Sequence, residues 1–314
     1  MADQHYPVMC NEMVAALVTD VHGRYIDATF GRGGHAKALL DALSPDAQLL
    51  LIDQDKAAIA YAQETLAKDP RVRVEQASFS NLSSICDQLG WVGQVTGVMA
   101  DLGVSSPQLD DPSRGFSFMR DGPLDMRMNT DASPSAKEWL AHASEKEIAD
   151  VLFHYGQERY ARRIARALVG YRRTQSIDTT HELAEIIRQA HPRWPKHHHP
   201  ATKSFQAIRI FINKELDALT ELLPQIQHVL ALHGRMACLS FHSLEDRMIK
   251  QFVQAQGHSK MLSDLPLTES QRFEAGITKM RWVGKFQVPI DQELSENPRS
   301  RSAKLRVAEK VEVG

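Results

Sequence analysis

Carboxylates and glycines recur along the first part of this chain, each placed directly after a short apolar run. Asp27 ends "RYID" and is followed by Gly31, Gly33 and Gly34 in "ATFGRGGHA"; Asp53 ends "QLLLID"; Phe79 follows "RVRVEQAS"; Asp101 ends "VTGVMAD". A glycine-rich turn lets backbone approach a ligand, and a carboxylate one strand further on can accept both hydroxyls of a ribose. NAD, FAD and S-adenosylmethionine all carry that ribose, and a ring such as Phe79 can flank an adenine. The glycine spacing is GxGG and lacks the third glycine of the dinucleotide fingerprint GxGxxG, so pyrophosphate binding is only one reading of the turn. A strand-turn-helix needs glycines even without a ligand. Four successive strand ends with such residues are harder to assign to folding alone.

The elements that must position these residues are legible in the hydrophobic pattern. "RYIDA" precedes a helix near 34 to 43, "QLLLIDQD" one at 56 to 68, "RVRVEQA" one at 80 to 89, and "VTGVMADLG" follows. Strands alternating with helices predict an α/β fold: a mostly parallel sheet covered on both faces, with ligands beyond the carboxyl ends of the strands. Another strand of this kind, "GRMACLSFHS", comes only at 234 to 243. Between them lie a Gly/Pro/Asp-rich loop and helices near 136 to 142, 145 to 154, 157 to 173 and 180 to 190, which read as an inserted helical domain. The stretch 203 to 232 reads as helix returning the chain to the sheet, and "WVGKFQVPI" with "SAKLRVAEKV" as a closing antiparallel pair. The expected organisation is a core in two parts, 1–105 and 213–314, interrupted at 106–212 by a substrate loop and the helical domain.

The composition, 43% hydrophobic and 24% charged, is that of a soluble globular protein. With a net charge of −2, any polyanionic partner must be met by a local basic patch. "ERYARRIARALVGYRR" supplies one: Arg159, Arg162, Arg163, Arg166 and Arg173 share about 100° of a helical wheel, opposite Ala161, Ile164, Ala165 and Leu168. A merely solvated face usually mixes signs, so this one is assigned to RNA; "NPRSRSAKLR" is a second, weaker cluster. Cys10, Cys86 and Cys238 form no CxxC pair, which points away from a disulfide framework or zinc site and towards a reducing cytoplasm. The N-terminus lacks an export signal and no apolar run approaches about 18 residues, so no membrane is expected. The adjacent histidines of "HHHP", 197 to 200, cannot all face one ion, and no metal is expected.

"YIDATFGRGGHA", "LLLIDQD", "DLGVSSPQLDDPSRGFSFMRDGPLDMRM", "HPATKSFQAIRIFIN", "LSFHSLEDR" and "NPRSRSAKLR" together resemble the RsmH (MraW) family, bacterial methyltransferases that modify cytosine N4 in small-subunit ribosomal RNA. The likeness spans nearly the whole chain. It implies a class I S-adenosylmethionine-dependent methyltransferase, with a Rossmann-like sheet and an inserted all-helical domain. It also implies a cytidine target in the decoding region of 16S ribosomal RNA, met within the 30S particle. The family's cofactor contacts match Gly33, Gly34, His35, Asp53, Phe79, Asp101 and Gln108. Asp53 would hold the ribose, Phe79 would lie against the adenine, the glycine turn would line the methionine part, and Asp101 and Gln108 would sit nearer the reacting end.

The exocyclic amine of cytosine gives its lone pair to the ring and must be made pyramidal before it can attack. Many amino methyltransferases do this with Asp or Asn followed by Pro-Pro-aromatic after the fourth strand. Here that place holds "DLGVSS", in which Asp101 supplies one acceptor. The missing aromatic would come from Phe116 or Phe118 of "RGFSF", stacking a flipped base, unless both rings pin the loop to the core. "SFHSLEDR" brings His242, Ser243 and Glu245 to the same side of the sheet, with Ser243 and Asp246 as a helix cap. Asp125 and Arg127 either line the mouth of the site or fix the loop by an ion pair. Two rival functions remain at this point. A nicotinamide oxidoreductase needs a pyrophosphate loop, against which the GxGG turn speaks. A non-catalytic ribosome-assembly binder needs neither Asp53 nor Asp101.

Overall fold

The apolar runs form one seven-stranded sheet, whose strands are β1 (Arg24–Asp27), β2 (Gln48–Asp53), β3 (Val72–Gln76), β4 (Val95–Asp101), β5 (Leu230–Ser240), β6 (Met280–Trp282) and β7 (Lys304–Lys310). The computed structural model describes residues 7–131, 134–193, 199–256 and 280–311. Strand order is β3-β2-β1-β4-β5-β7-β6, with β1 to β5 parallel and β7 antiparallel to both its neighbours. The order reverses between β1 and β4, so Asp27 and Asp101 end adjacent strands at the switch point, where open α/β sheets bind ligands.

Successive residues of the central strands serve opposite faces. Leu50, Ile52, Val98 and Ala100 pack in one apolar cluster; Leu49, Leu51 and Met99 pack in the other. Both faces are therefore covered, which explains why these strands read as unbroken apolar runs. Fully burying one such leucine contributes about 1.5–3 kcal/mol.

The chain divides into two units, Met1–Gly103 with Leu216–Gly314, and Val104–Glu215. The first holds the sheet, α1 (Cys10–Leu17), α2 (Gly34–Ala42), α3 (Lys56–Thr65) and α4 (Leu82–Leu89). The second is built on α5 (Ser106–Asp110), α6 (Ala136–His142), α7 (Glu145–His154), α8 (Ala161–Arg172), α9 (Thr180–Ala190) and α10 (Thr202–Ile212). Capping boxes start four of these helices, pairing Ser105 with Gln108, Ser135 with Glu138, Ser144 with Glu147 and Thr179 with Glu182.

Three expectations change. The helix expected over 157 to 173 starts at Ala161, because Gln157 takes a left-handed φ of 49° and Glu158 turns inward. The helix expected over 203 to 232 is two: α10 stops before Lys214, whose φ is 51°, and α11 (Glu215–Val229) then begins. Asn213 pins the break, its Nδ2 donating to Met126 O at 2.7 Å and its Oδ1 accepting from Met128 N at 2.7 Å. The closing pair is antiparallel as expected but is not continuous. β6 ends at Trp282, and beyond it only Gln287 makes a bridge, to Leu305 of β7, which itself lies between β5 and β6.

Candidate active site

The carboxyl ends of β1, β2 and β4 gather three acids. Asp27 is 2% exposed, and its Oδ1 accepts from Thr29 N at 3.0 Å. Thr29 Oγ1 in turn accepts from Asp101 N at 2.6 Å, tying the two strand ends together. Burial pushes Asp27 up to about 7; the Thr29 N–H and His35 oppose the shift, and the Asp101 and Asp53 charges add to it. The Asp101 side chain is 32% exposed, yet its Oδ1 is out of solvent and without a hydrogen-bond partner. Burial, with Glu245 nearby, pushes it up to about 7 as well.

The glycine turn is bound to β2 through Asp53. Gly31 N donates to Asp53 Oδ2 at 2.8 Å and Asp55 N to Oδ1 at 2.8 Å. Burial outweighs these two donors and raises the carboxyl. Each oxygen keeps a lone pair, so two ribose hydroxyls can still be accepted. The glycines serve the fold itself. Gly31 and Gly33 have φ of 56° and 71°, and a Cβ on Gly33 would meet the Phe30 ring at 2.5 Å. One on Gly34 would meet Pro7 Cγ at 2.9 Å. The chain's own packing demands glycine here before any ligand does.

His35 opens α2 and is buried. Its Nε2 lies 2.9 Å from Val8 O, so the proton of the neutral ring sits on Nε2, and burial holds its pKa below the usual value. Nδ1 then presents a lone pair 3.5 Å from Asp101 Oδ2, a close approach without a hydrogen bond. Phe79, half-buried, begins a 3-10 turn after β3 and packs against the sheet's apolar cluster.

After β5, Glu245 Oε2 accepts from Phe241 N at 2.9 Å and His242 N at 3.3 Å, while Glu245 N donates to His242 Nδ1 at 3.4 Å. This reciprocal pair caps α12 (Ser243–Gln256), in place of the expected Ser243 and Asp246. Asp246 is engaged elsewhere, by Arg306 Nε at 2.6 Å and Lys304 Nζ at 3.2 Å. With Nδ1 accepting, His242 carries its proton on Nε2. That atom is buried 3.1 Å from Glu245 Oε1, but outside hydrogen-bond geometry and so without a partner. Sequence reasoning missed this cap because histidine is an unusual N-cap; the Glu at the third helical position was the available signal.

The remaining candidates belong to the second unit. Gln108 Oε1 accepts from Ser105 N at 2.9 Å within the α5 capping box. Phe116 is 5% exposed inside the helical core, and Phe118 meets Phe205 edge-on with centroids 4.8 Å apart. Phe116 offers no face to a base in this conformation and anchors the loop instead, whereas Phe118 is half-buried between Phe205 and His199. Two glycines let that loop close on itself: a Cβ on Gly115 would lie 2.3 Å from Pro123 O, and one on Gly122 1.9 Å from Pro112 O. Arg127 and Asp125 form a two-pronged ion pair at 2.9 and 2.8 Å, which fixes the same loop. Of the arginines, Arg162, Arg163 and Arg166 are exposed on α8, and Arg166 lies 3.6 Å from Glu145. Arg159 precedes the helix and stands over Tyr160. Glu158 is buried, accepting from Tyr160 N at 2.8 Å, and so does not dilute the face. Part of the histidine run lies outside the described residues; among those described, no group of His, Cys, Asp and Glu is arranged to hold a metal, and no helix is long and apolar enough to cross a membrane.

A glycine turn, a ribose-type carboxylate and further acids at the switch point of a parallel sheet define a nucleoside-binding α/β protein. Where ionised, the acids at these strand ends disfavour a pyrophosphate and suit a cationic ligand, which S-adenosylmethionine is through its sulfonium. Residues 2–311 match the MraW methylase family, and the chain belongs to it. It is similar to proteins named ribosomal RNA small subunit methyltransferase H. That of Nitrosococcus oceani is 51% identical over 307 residues, covering 98% of this chain and 96% of the relative. That of Hydrogenovibrio crunogenus is 49% identical over 308 residues, with coverages of 98% and 96%. That of Idiomarina loihiensis is 50% identical over 309 residues, with 98% and 97%. The chain is a methyltransferase, and S-adenosylmethionine is its cofactor.

Proposed function

We propose that the protein methylates N4 of a cytidine in the decoding region of 16S ribosomal RNA, acting on the 30S particle in the cytoplasm. The relatives' names support a small-subunit RNA substrate. The observation that carries the chemistry is the buried, unpartnered Asp101 Oδ1 at the end of β4. An orphaned buried acceptor costs about 1–3 kcal/mol, a cost that an amine donor would relieve.

When bound, S-adenosylmethionine supplies an electrophilic methyl group on a positively charged sulfur. Asp53 accepts the ribose hydroxyls, and the ring of Phe79 borders the base. Asp101 would accept one N4–H, draw the amine out of conjugation and take that proton as the N4–C bond forms and the methyl–sulfur bond breaks, the bonding pair leaving with the sulfur as a neutral thioether. A carboxyl near 7 is matched to that task at neutral pH. His242 Nε2–H is a buried donor whose counterpart in cytosine is the N3 lone pair. The test is nucleoside analysis of small-subunit RNA from cells lacking this chain. Loss of N4-methylcytidine at a single decoding-region position, restored by the gene, is the expected result; an unchanged modification profile refutes the reading.

A further inference from the structure

The outer edge of the sheet carries a feature that the catalytic site does not use. A cavity of about 200 Å³ is lined by Trp282, Gly284, Lys285, Phe286, Arg306 and Val307. Gly284, with φ of 71°, interrupts the edge strand after β6 and turns the next residues outward. Phe286 is 49% exposed, and Val288 and Ile290 continue the apolar strip at alternate positions. The Arg306 guanidinium stands 5.5 Å from the Trp282 ring centre and 5.1 Å from that of Phe286, and Lys304 Nζ stands 5.6 Å from Phe286. Asp246 holds both cations in place. Lys285 is exposed and has no ion pair among the described residues, so the wall is net positive.

Sheet register ties this edge to the reaction centre. Asp101 pairs with Leu239 of β5, and Leu239 with Leu305 of β7, placing Lys304 and Arg306 level with Asp101 and two strands outward. Adjacent strands are about 4.8 Å apart, so these cations stand about 10 Å from Asp101, and Phe286, whose neighbour Gln287 bridges Leu305 from one strand further out, about 14 Å, within reach of a neighbouring stretch of the same single strand. His242 lies just beyond the end of the strand between them. A half-exposed ring ringed by fixed and free cations is how proteins hold unpaired nucleotides: the ring stacks a base and the cations meet phosphates.

We propose that this edge is a subsite for a single-stranded nucleotide flanking the target cytidine, with its base on Phe286 and its phosphate on Lys285. The proposal rests on the ribosomal RNA reading above and adds a second contact to it. The test uses the full chain with Phe286→Leu, Phe286→Tyr and Lys285→Ala. Binding is measured to isolated small ribosomal subunits and to a short unstructured RNA with a central cytidine. Cofactor titration and melting curves confirm that each variant is folded. Phe286→Leu should weaken both RNAs by about tenfold, while Phe286→Tyr, which still stacks, should stay within about twofold of wild type. Lys285→Ala should lower the log-log salt slope by about 0.7, and cofactor affinity should not change in any variant. Wild-type RNA affinity in Phe286→Leu, with wild type methylating N4, overturns this subsite alone and leaves the strip to a protein partner. Wild type that places no methyl on cytidine N4 refutes the underlying reading, and the subsite with it.

Discussion

Asp27 shows most directly how burial and function interact at the residue scale. Its carboxyl is raised from 3.8 to about 7, so the folded state keeps the proton where the unfolded chain has lost it. The stability this gives is complete below about pH 4 and is lost as pH rises through about 7. Asp27→Asn keeps an acceptor for Thr29 N–H without ever being charged. We expect it to be more stable than wild type by about 2–4 kcal/mol at pH 8.5 and nearly equal near pH 4; a pH-independent difference in denaturant unfolding would show that charge is not the cause. Asp101 has the opposite role, since it must be ionised to accept a proton. Single-turnover methylation should rise with pH through about 7 and then level off. Asp101→Asn should lower the rate about hundredfold or more and flatten that rise, with RNA affinity little changed. A rate within a few-fold of wild type would remove Asp101 from the chemistry. Asp53→Asn keeps one acceptor for the backbone donors from Gly31 and Asp55 but loses the charge. Hydrogen bonds to charged acceptors contribute about 1.5–3 kcal/mol each, so calorimetry should show cofactor binding at least tenfold weaker. Unchanged affinity would mean the ribose is held elsewhere.

Among the elements, what the sequence revealed was what local physics controls. Ser135, Ser144 and Thr179, each with Glu three residues on, mark helix starts that the structure places at 136, 145 and 180. What it concealed was decided by tertiary contacts. Gln157 and Lys214 adopt left-handed φ without being glycine, and each displaces an element boundary that periodicity alone extends; His233 also takes a left-handed φ, inside β5. There the register between β4 and β5 shifts, and β5 begins at Leu230 and not at the expected 234. Burial of Phe116 and Phe118 likewise depends on helices distant in sequence. The exposed arginines of α8 are an element-scale claim. Arg162→Ala with Arg166→Ala should weaken binding to small subunits and lower the salt slope by roughly 0.7 to 0.9 per lost contact. Alanine suits a helix, so melting should change little. An unchanged slope would show that the face is only solvated.

For the whole molecule, strand order and acid placement carry the functional reading together. The reversal between β1 and β4 brings Asp27 and Asp101 side by side, and β2 adds Asp53 to a site whose charge favours a sulfonium over a pyrophosphate. The strand ends were legible from the sequence because each acid closes an apolar run. The glycine turn was legible too, although Phe30 and Pro7, which make it necessary, were not. The central claim is methyl transfer to cytidine N4. It is tested most directly by incubating purified protein with unmethylated small ribosomal subunits and isotopically labelled S-adenosylmethionine, then mapping the label by mass spectrometry. The expected result is one labelled methyl group on N4 of a single decoding-region cytidine, appearing about hundredfold more slowly with Asp101→Asn. Label on a carbon, on a ribose oxygen or on no nucleotide at all would contradict it.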